Sequence, residues 1–401
     1  MHRPARSRLA AGTIAALAAV ALAGCATAAP TASGESDTSD ASHDGDTRVA
    51  IAYDGGIVVL DGDTLDTVAS AQLDGFLRVN PAGDHDGHVF VTASDGFHVL
   101  DSGLASGSVE FTGEVFDAEA PGHVTPHAGR TALFDDGTGR ITLFDTDAVG
   151  TGALPESETV ESEQAHHGVA IELSDRTLLS TIGTAESRSG VRLLDAGTEV
   201  ARNEECPGVH GEGALKGETI VFGCEDGVLV FADGEFTKLA APDAFGRSGN
   251  AYVTDTSAIA ALDYNADPDA EGYLHSQLAL VDTEARTLSV VDLPDGVEYT
   301  WRGVGRDGHD NIVVLASDGT LNLLDETGAV VDSWEVIEPW ESPAEWQDPH
   351  PGLRVVGDIA YVTEPAENRI LAVDLHTGEV SAEATLDVVP GEFVVVGAAG
   401  H

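Results

Sequence analysis

Short apolar runs alternate with Gly/Asp turns along the chain, and one unit recurs: an apolar strand, a tight turn, then a second apolar strand ending in aspartate. The copies are YDGGIVVLD ending at Asp61, SDGFHVLD at Asp101, GTGRITLFD at Asp145, RSGVRLLD at Asp195, EDGVLVFAD at Asp233, LHSQLALVD at Asp282, SDGTLNLLD at Asp325 and ENRILAVD at Asp374. In ASDGTLNLLDETGAVV, Asp318-Gly319 makes the tight turn, Leu321 and Leu323 alternate with polar positions, and Glu326-Thr327-Gly328 turns the chain again. Long helical periodicity is nearly absent. Successive copies are 40, 44, 50, 38, 49, 43 and 49 residues apart. A period in the forties with about four strands per unit predicts an all-β chain folded as a β-propeller. Each four-stranded unit has two apolar faces that it cannot bury alone, so neighbouring units stack around an axis and bury them together. Eight copies imply eight blades within residues 48–401; seven would follow if the first and last copies share a blade to close the ring.

The repeats do not reach the N-terminus. Residues 1–24 hold Arg3, Arg6 and Arg8, then the apolar run LAAGTIAALAAVALAG, and no acidic residue, which is the pattern of an export signal and too short for a membrane span. Leu22-Ala23-Gly24-Cys25 resembles a bacterial lipoprotein signal, in which cleavage leaves Cys25 as a lipid-bearing N-terminus; plain secretion is the alternative. Residues 25–47 have almost nothing to bury and read as a flexible tether. The protein is therefore expected outside the cytoplasmic membrane, lipid-anchored at its outer face, as a monomer.

With 69 acidic against 19 basic residues, the net charge of −50 repels nucleic acid and anionic membranes and concentrates cations. The lipid anchor is then the only membrane contact expected. Acidity alone points to no site, since a soluble secreted protein or a high-salt habitat produces the same bias.

Histidines narrow the chemistry. PGHVTPHAGR, AHHGVAIELS and ECPGVHGEGA each place a histidine beside a small residue just ahead of an apolar strand pattern. His127, His167 and His210 thus read as three copies of one position, where the chain enters successive blades and approaches the central channel. Neutral imidazoles are strong ligands for zinc and do not repel one another, so such a convergence suits that ion. Unrelated loop histidines are the plain alternative. His123 adds a possible nitrogen one short step earlier, and Pro126 between it and His127 excludes the helical HxxxH zinc signature. His43 in the tether and the turn GDHDGH, with His85 and His88, offer weaker ligands or simply polar backbone turns.

With Cys25 assigned to lipid, Cys206 and Cys224 remain as a pair in an oxidising compartment, where a disulfide is the default. A hairpin about Lys216-Gly217 returns Cys224 opposite Cys206 and would fix the segment carrying His210. Zinc ligation through the two thiolates is the rival reading. Trp334, Trp340 and Trp346, clustered in and beside PWESPAEW, read as core or inter-blade packing.

No nucleophile elbow, phosphate loop or dinucleotide fingerprint is present, and the expectation is a protein that is not an enzyme. A propeller hydrolase or lactonase with a channel metal is the alternative. GFLRVNPAGD, HVTPHAGRTALFDDG, HHGVAIEL, ECPGVHGE and FGCEDGVLVF together resemble the AztD family of secreted zinc metallochaperones, over roughly Arg48 to Pro390. The resemblance implies a β-propeller that binds zinc and delivers it to the solute-binding protein of a zinc ABC importer. It implies zinc ligation by His123 or His127, His167 and His210, with a carboxylate completing the set, for which Glu212 is a candidate. A second, transfer-competent zinc site would have to use His43 or the His85/His88 turn.

Overall fold

The repeat copies become the third strands of eight four-stranded antiparallel sheets arranged in a ring, a β-propeller. The computed structural model describes residues 47–397. In blade 1, Arg48–Tyr53, Gly56–Asp61 and Thr67–Gln72 are completed on the inner side by Phe393–Val396, paired from Arg48↔Val396 to Ile51↔Phe393. The two ends of the chain thus share the first blade. The eighth copy keeps a blade of its own, Gly352–Thr385, which settles eight blades over seven.

The aspartate that ends a copy caps the following turn in Asp61, Asp101, Asp282, Asp325 and Asp374. Asp61 Oδ1 accepts from the backbone N–H groups of Asp63 and Thr64, Asp325 Oδ1 from Thr327 and Ala329, and Asp374 Oδ1 from His376 and Thr377. The side chain replaces a strand partner while the backbone reverses into the outer strand, as short carboxylates do in turns. Second and third strands are apolar on both faces because each face meets another blade: every residue of His88–Ala93 is buried, whereas Val330–Glu335 on a rim is mostly exposed. The cores therefore lie between blades. Phe90, Phe116 and Phe144 meet between blades 2 and 3, with the last two rings stacked 4.8 Å apart, and burying each contributes about 1.5–3 kcal/mol.

The innermost strands of blades 2 to 8 are Arg78–Pro81, Pro121–His127, Ala170–Glu172, His210–Leu215, Ala251–Tyr252, Val304–Arg306 and Gly352–Val356. All enter at one end of the channel and turn back at the other. The tryptophans divide: Trp334 and Trp340 pack on the core between blades 7 and 8, while Trp346 stands edge-on to the exposed Phe76 with the Arg78 guanidinium 5.5 Å from its ring centre. The export signal, Cys25, His43 and nearly all of the tether lie outside the described residues. Among the described residues, no helix is long and apolar enough to cross a membrane.

His350, at the entry to blade 8, is buried against Trp340; its Nδ1 donates to the Asp348 carbonyl at 2.8 Å and its Nε2 has no partner. Burial, reinforced by the Arg302 charge, pushes its imidazole down to about 4. Between pH 6.5 and about 4 the unfolded chain therefore binds a proton here that the folded chain refuses, so stability falls as pH falls through that window. His166 and His210, also pushed down by burial, act in the same direction. Denaturant unfolding measured across pH should show this loss, and His350→Gln should flatten part of it; an unchanged slope would contradict the assignment.

Candidate metal centre

Three histidines meet at the entry end of the channel. His123 lies in the innermost strand of blade 3, His167 three residues before that of blade 4, and His210 at the start of that of blade 5. Their ring centroids are 5.1–5.2 Å apart and their nearest nitrogens all lie within 4.8 Å of one another. Nε2 of His167 and Nε2 of His210 are separated by 3.1 Å. Two nitrogens on one tetrahedral zinc, each at about 2.0–2.1 Å, sit roughly 3.3 Å apart, so this spacing already suits the ion.

Two of the rings are turned by an acceptor on the other nitrogen, and the third lies beside a carboxylate. His210 Nδ1 donates to the Gly249 carbonyl at 2.7 Å, and Gly249 is itself anchored because its N–H and that of Asn250 donate to the buried carboxylate of Asp263. His167 Nδ1 faces Asp136 Oδ2 at 2.6 Å, whose other oxygen accepts from the Gly168 N–H at 3.1 Å. His123 Nδ1 lies 3.7 Å from Glu212 Oε2, and Thr125 Oγ1 donates to Glu212 Oε1 at 3.2 Å. A proton held on Nδ1 leaves Nε2 as a bare lone pair, so the orienting groups fix which nitrogen can bind.

Small residues make room for this arrangement. A Cβ on Gly122 would lie 2.3 Å from Asp136 Oδ1, and one on Gly168 would lie 2.2 Å from the Phe134 ring. Gly211 has φ +62 at the bulge between His210 and Glu212, a conformation that side chains disfavour. Burial, followed by the His123 charge, pushes the His210 imidazole down to about 3, which keeps it neutral. Burial would raise the Glu212 carboxyl, but the charge of His123 beside it outweighs burial and holds Glu212 below the ordinary carboxylate range. The group is thus a half-buried set of imidazole nitrogens backed by two carboxylates. His167, with a side chain 43% exposed, is its open side.

Other candidates fall elsewhere. His127 ends the strand that carries His123, four residues and about 13 Å further along, so it lies at the other end of the channel from the trio. Its Nε2 meets Glu218 Oε1 at 2.8 Å, and Glu218 also accepts from Ser174, which ties blades 3, 4 and 5 together at the far end of the channel. His88 is buried, with Nδ1 on the Asp84 carboxylate, so the GDHDGH segment is a structural turn whose other histidine, His85, is exposed. Cys206 and Cys224 form a disulfide with their Cα atoms 4.9 Å apart, in place of thiolate ligation. The bridge pins the segment Pro207 to Val209 that leads directly into His210. Asp136, Gly249 and Asp263 were not singled out by sequence: Asp136 looks like one more residue of a Gly/Asp turn, and a backbone carbonyl leaves no signal.

No protein-family model matches the chain. A curated relative, the zinc chaperone AztD of Citrobacter koseri, is 25% identical over 295 residues, which span 70% of this chain and 66% of that protein. The chain is similar to AztD. Two structures of Citrobacter koseri AztD, one of them the apo form, superpose with TM-scores of 0.75 and 0.73 at 22% identity, covering 89% of this chain and 99% of theirs. The dihydro-heme d1 dehydrogenase NirN, at TM-score 0.56 and 13% identity, covers 88% of this chain and 75% of its own and shares the fold alone. The resemblance to AztD carried by the histidine motifs thus extends to most of the chain and to its architecture.

Non-reducing mass spectrometry of the protein should recover Cys206 and Cys224 as one linked species. Replacing both with serine should lower the unfolding free energy by about 3 kcal/mol, the cost in the chain-entropy model of freeing a loop of this length. Two free thiols, or no change in stability, would count against the bridge.

Proposed function

We propose that this protein is an extracytoplasmic zinc chaperone that holds one zinc ion on His123, His167 and His210 and passes it to the solute-binding protein of a zinc ABC importer. The observation that carries the reading is the convergence of one ring nitrogen from each of three histidines, two of them oriented by an acceptor on Nδ1, in a protein similar to a named zinc chaperone. The residues fit the ion. Three imidazole nitrogens and one open position match a zinc site that exchanges ligands. Asp136 and the Gly249 carbonyl hold their imidazoles in place. Such orienting partners are commonly worth 10–100-fold in metal affinity.

Delivery follows from how slowly a tight site lets go. At a nanomolar dissociation constant and an on-rate of about 10⁷ per molar per second, spontaneous escape takes on the order of a hundred seconds. An acceptor that docks over the exposed His167 and offers its own ligands bypasses that wait. The His127–Glu218–Ser174 link closes blades 3 to 5 at the other end, so the acceptor is expected at the entry rim. The lipid anchor at Cys25 and the tether would hold the propeller within reach of an importer in the same membrane.

Metal analysis of protein purified without chelator should give one tightly held zinc, lost in His123→Ala, His167→Ala and His210→Ala, weakened about 10–100-fold in Asp136→Asn, and retained in His127→Ala. Zinc retained at full affinity by all three alanine variants would exclude the trio. In mixtures with an apo solute-binding protein, transfer should speed up with acceptor concentration and outrun release to a chelator too large to enter the channel. If the rate ignores the acceptor, zinc storage or metal-dependent hydrolysis replaces delivery.

A further inference from the structure

The turns at the far end of the propeller bring together a second set of ligand-type side chains, which their spacing of 49 and 18 residues along the chain hides. His309 lies in the turn that follows the innermost strand of blade 7, and Asp358 in the corresponding turn of blade 8. His376 sits between the third and fourth strands of blade 8. Antiparallel order puts all three turns at the same end, away from His123, His167 and His210. His309 Nδ1 is 3.0 Å from Asp358 Oδ1, His376 Nε2 is 3.9 Å from Asp358 Oδ2, and the imidazoles stand at 89° with centroids 5.8 Å apart. One ligand atom from each residue falls within 4.8 Å of the others.

The backbone holds these turns in one place. The Gly308 N–H donates to the Gly357 carbonyl at 2.9 Å across the blade boundary, and the Leu375 N–H donates to the Asp358 carbonyl at 2.9 Å. The Asp374 carboxylate caps the turn of His376 at its N–H, 2.8 Å away. Only the side chains remain to adjust. The two carboxylate distances bracket the roughly 3.3 Å between ligands on a tetrahedral ion, so small χ rotations bring all three donors onto one metal.

We propose that His309, Asp358 and His376 form a second site for a zinc-type divalent cation, weaker and faster to exchange than the channel trio. Two imidazoles and one carboxylate suit zinc and its neighbours in the first transition row, whereas calcium and magnesium call for more oxygen donors. Both histidine side chains are 62% exposed, so binding must first order them and leaves coordination positions open to water. The site stands on its own geometry and does not depend on the trio's role.

The probe is zinc itself, titrated by chelator competition into the full chain with excess magnesium present to occupy carboxylate-only sites. The wild type should take up a tight and a weaker equivalent. His309→Ala/His376→Ala, and separately the isosteric Asp358→Asn, should lose or markedly weaken the second equivalent and keep the first. His167→Ala should do the reverse, and in that variant zinc should shift the imidazole NMR signals of His309 and His376. Because these side chains lie on exposed turns, the variants should unfold at the wild-type temperature. A weaker equivalent that persists unchanged in His309→Ala/His376→Ala, or imidazole signals that do not move, would overturn the site. Loss of the tight equivalent alone would bear only on the trio.

Discussion

Everything at the channel depends on closure of the ring. Phe393–Val396 must pair with Arg48–Tyr53 before the innermost strands can face one axis, and the seam is secured by reciprocal backbone bonds: the Ala52 N–H donates to the Glu392 carbonyl and the Gly391 N–H to the Ala52 carbonyl, both at 2.8 Å. Glu392 carries the constraint further. Its buried carboxylate accepts from Arg78 of blade 2 at 3.2 Å and from Arg302 at the entry to blade 7 at 3.3 Å, spanning the closure from both sides. Removing one partner of such a buried pair leaves a charge without compensation, which is far more costly than the pair's net worth. The interaction thus specifies the closed ring more than it stabilises it.

The histidine trio inherits that geometry because none of its members is oriented by its own blade. Asp136 of blade 3 turns His167 of blade 4, Gly249 at the entry to blade 6 turns His210 of blade 5, and Glu212 of blade 5 faces His123 of blade 3. Each contact crosses at least one blade boundary. An open or slipped ring would therefore retain the histidines but lose the convergence of their nitrogens. The disulfide acts at a different level, stiffening the loop ahead of His210 within a region whose β-core is already buried.

Much of this could be read from the chain. The period in the forties fixed the architecture because each blade must bury two apolar faces, and the closing aspartates were visible because a turn needs a short side-chain acceptor. His167 and His210 were legible for the same reason, being just ahead of a strand in successive units. What escaped was local or long-range. His123 and His127 have the same parity on a strand and look equivalent, and only their places at opposite ends of that strand separate them. His88 and His85 looked alike until packing buried one of them. His309, Asp358 and His376 belong to turns of ordinary sequence, and only the stacking of blade 7 on blade 8 makes them neighbours.

The acidity of the chain makes nitrogen donors more than a convenience. A surface with net charge −50 gathers every divalent cation near it, and carboxylates would hold mainly the abundant calcium and magnesium. Imidazoles reverse that preference, because neutral nitrogens attract hard ions weakly and zinc strongly. The acidic field can then raise the local cation concentration without deciding which ion stays. On the proposed reading, selection would fall to the few places where histidines converge, and the unequal exposure within the trio would order events there. His210 is held by a buried carbonyl and His123 is four-fifths covered, so in the proposed zinc site an incoming ligand would reach the His167 side first.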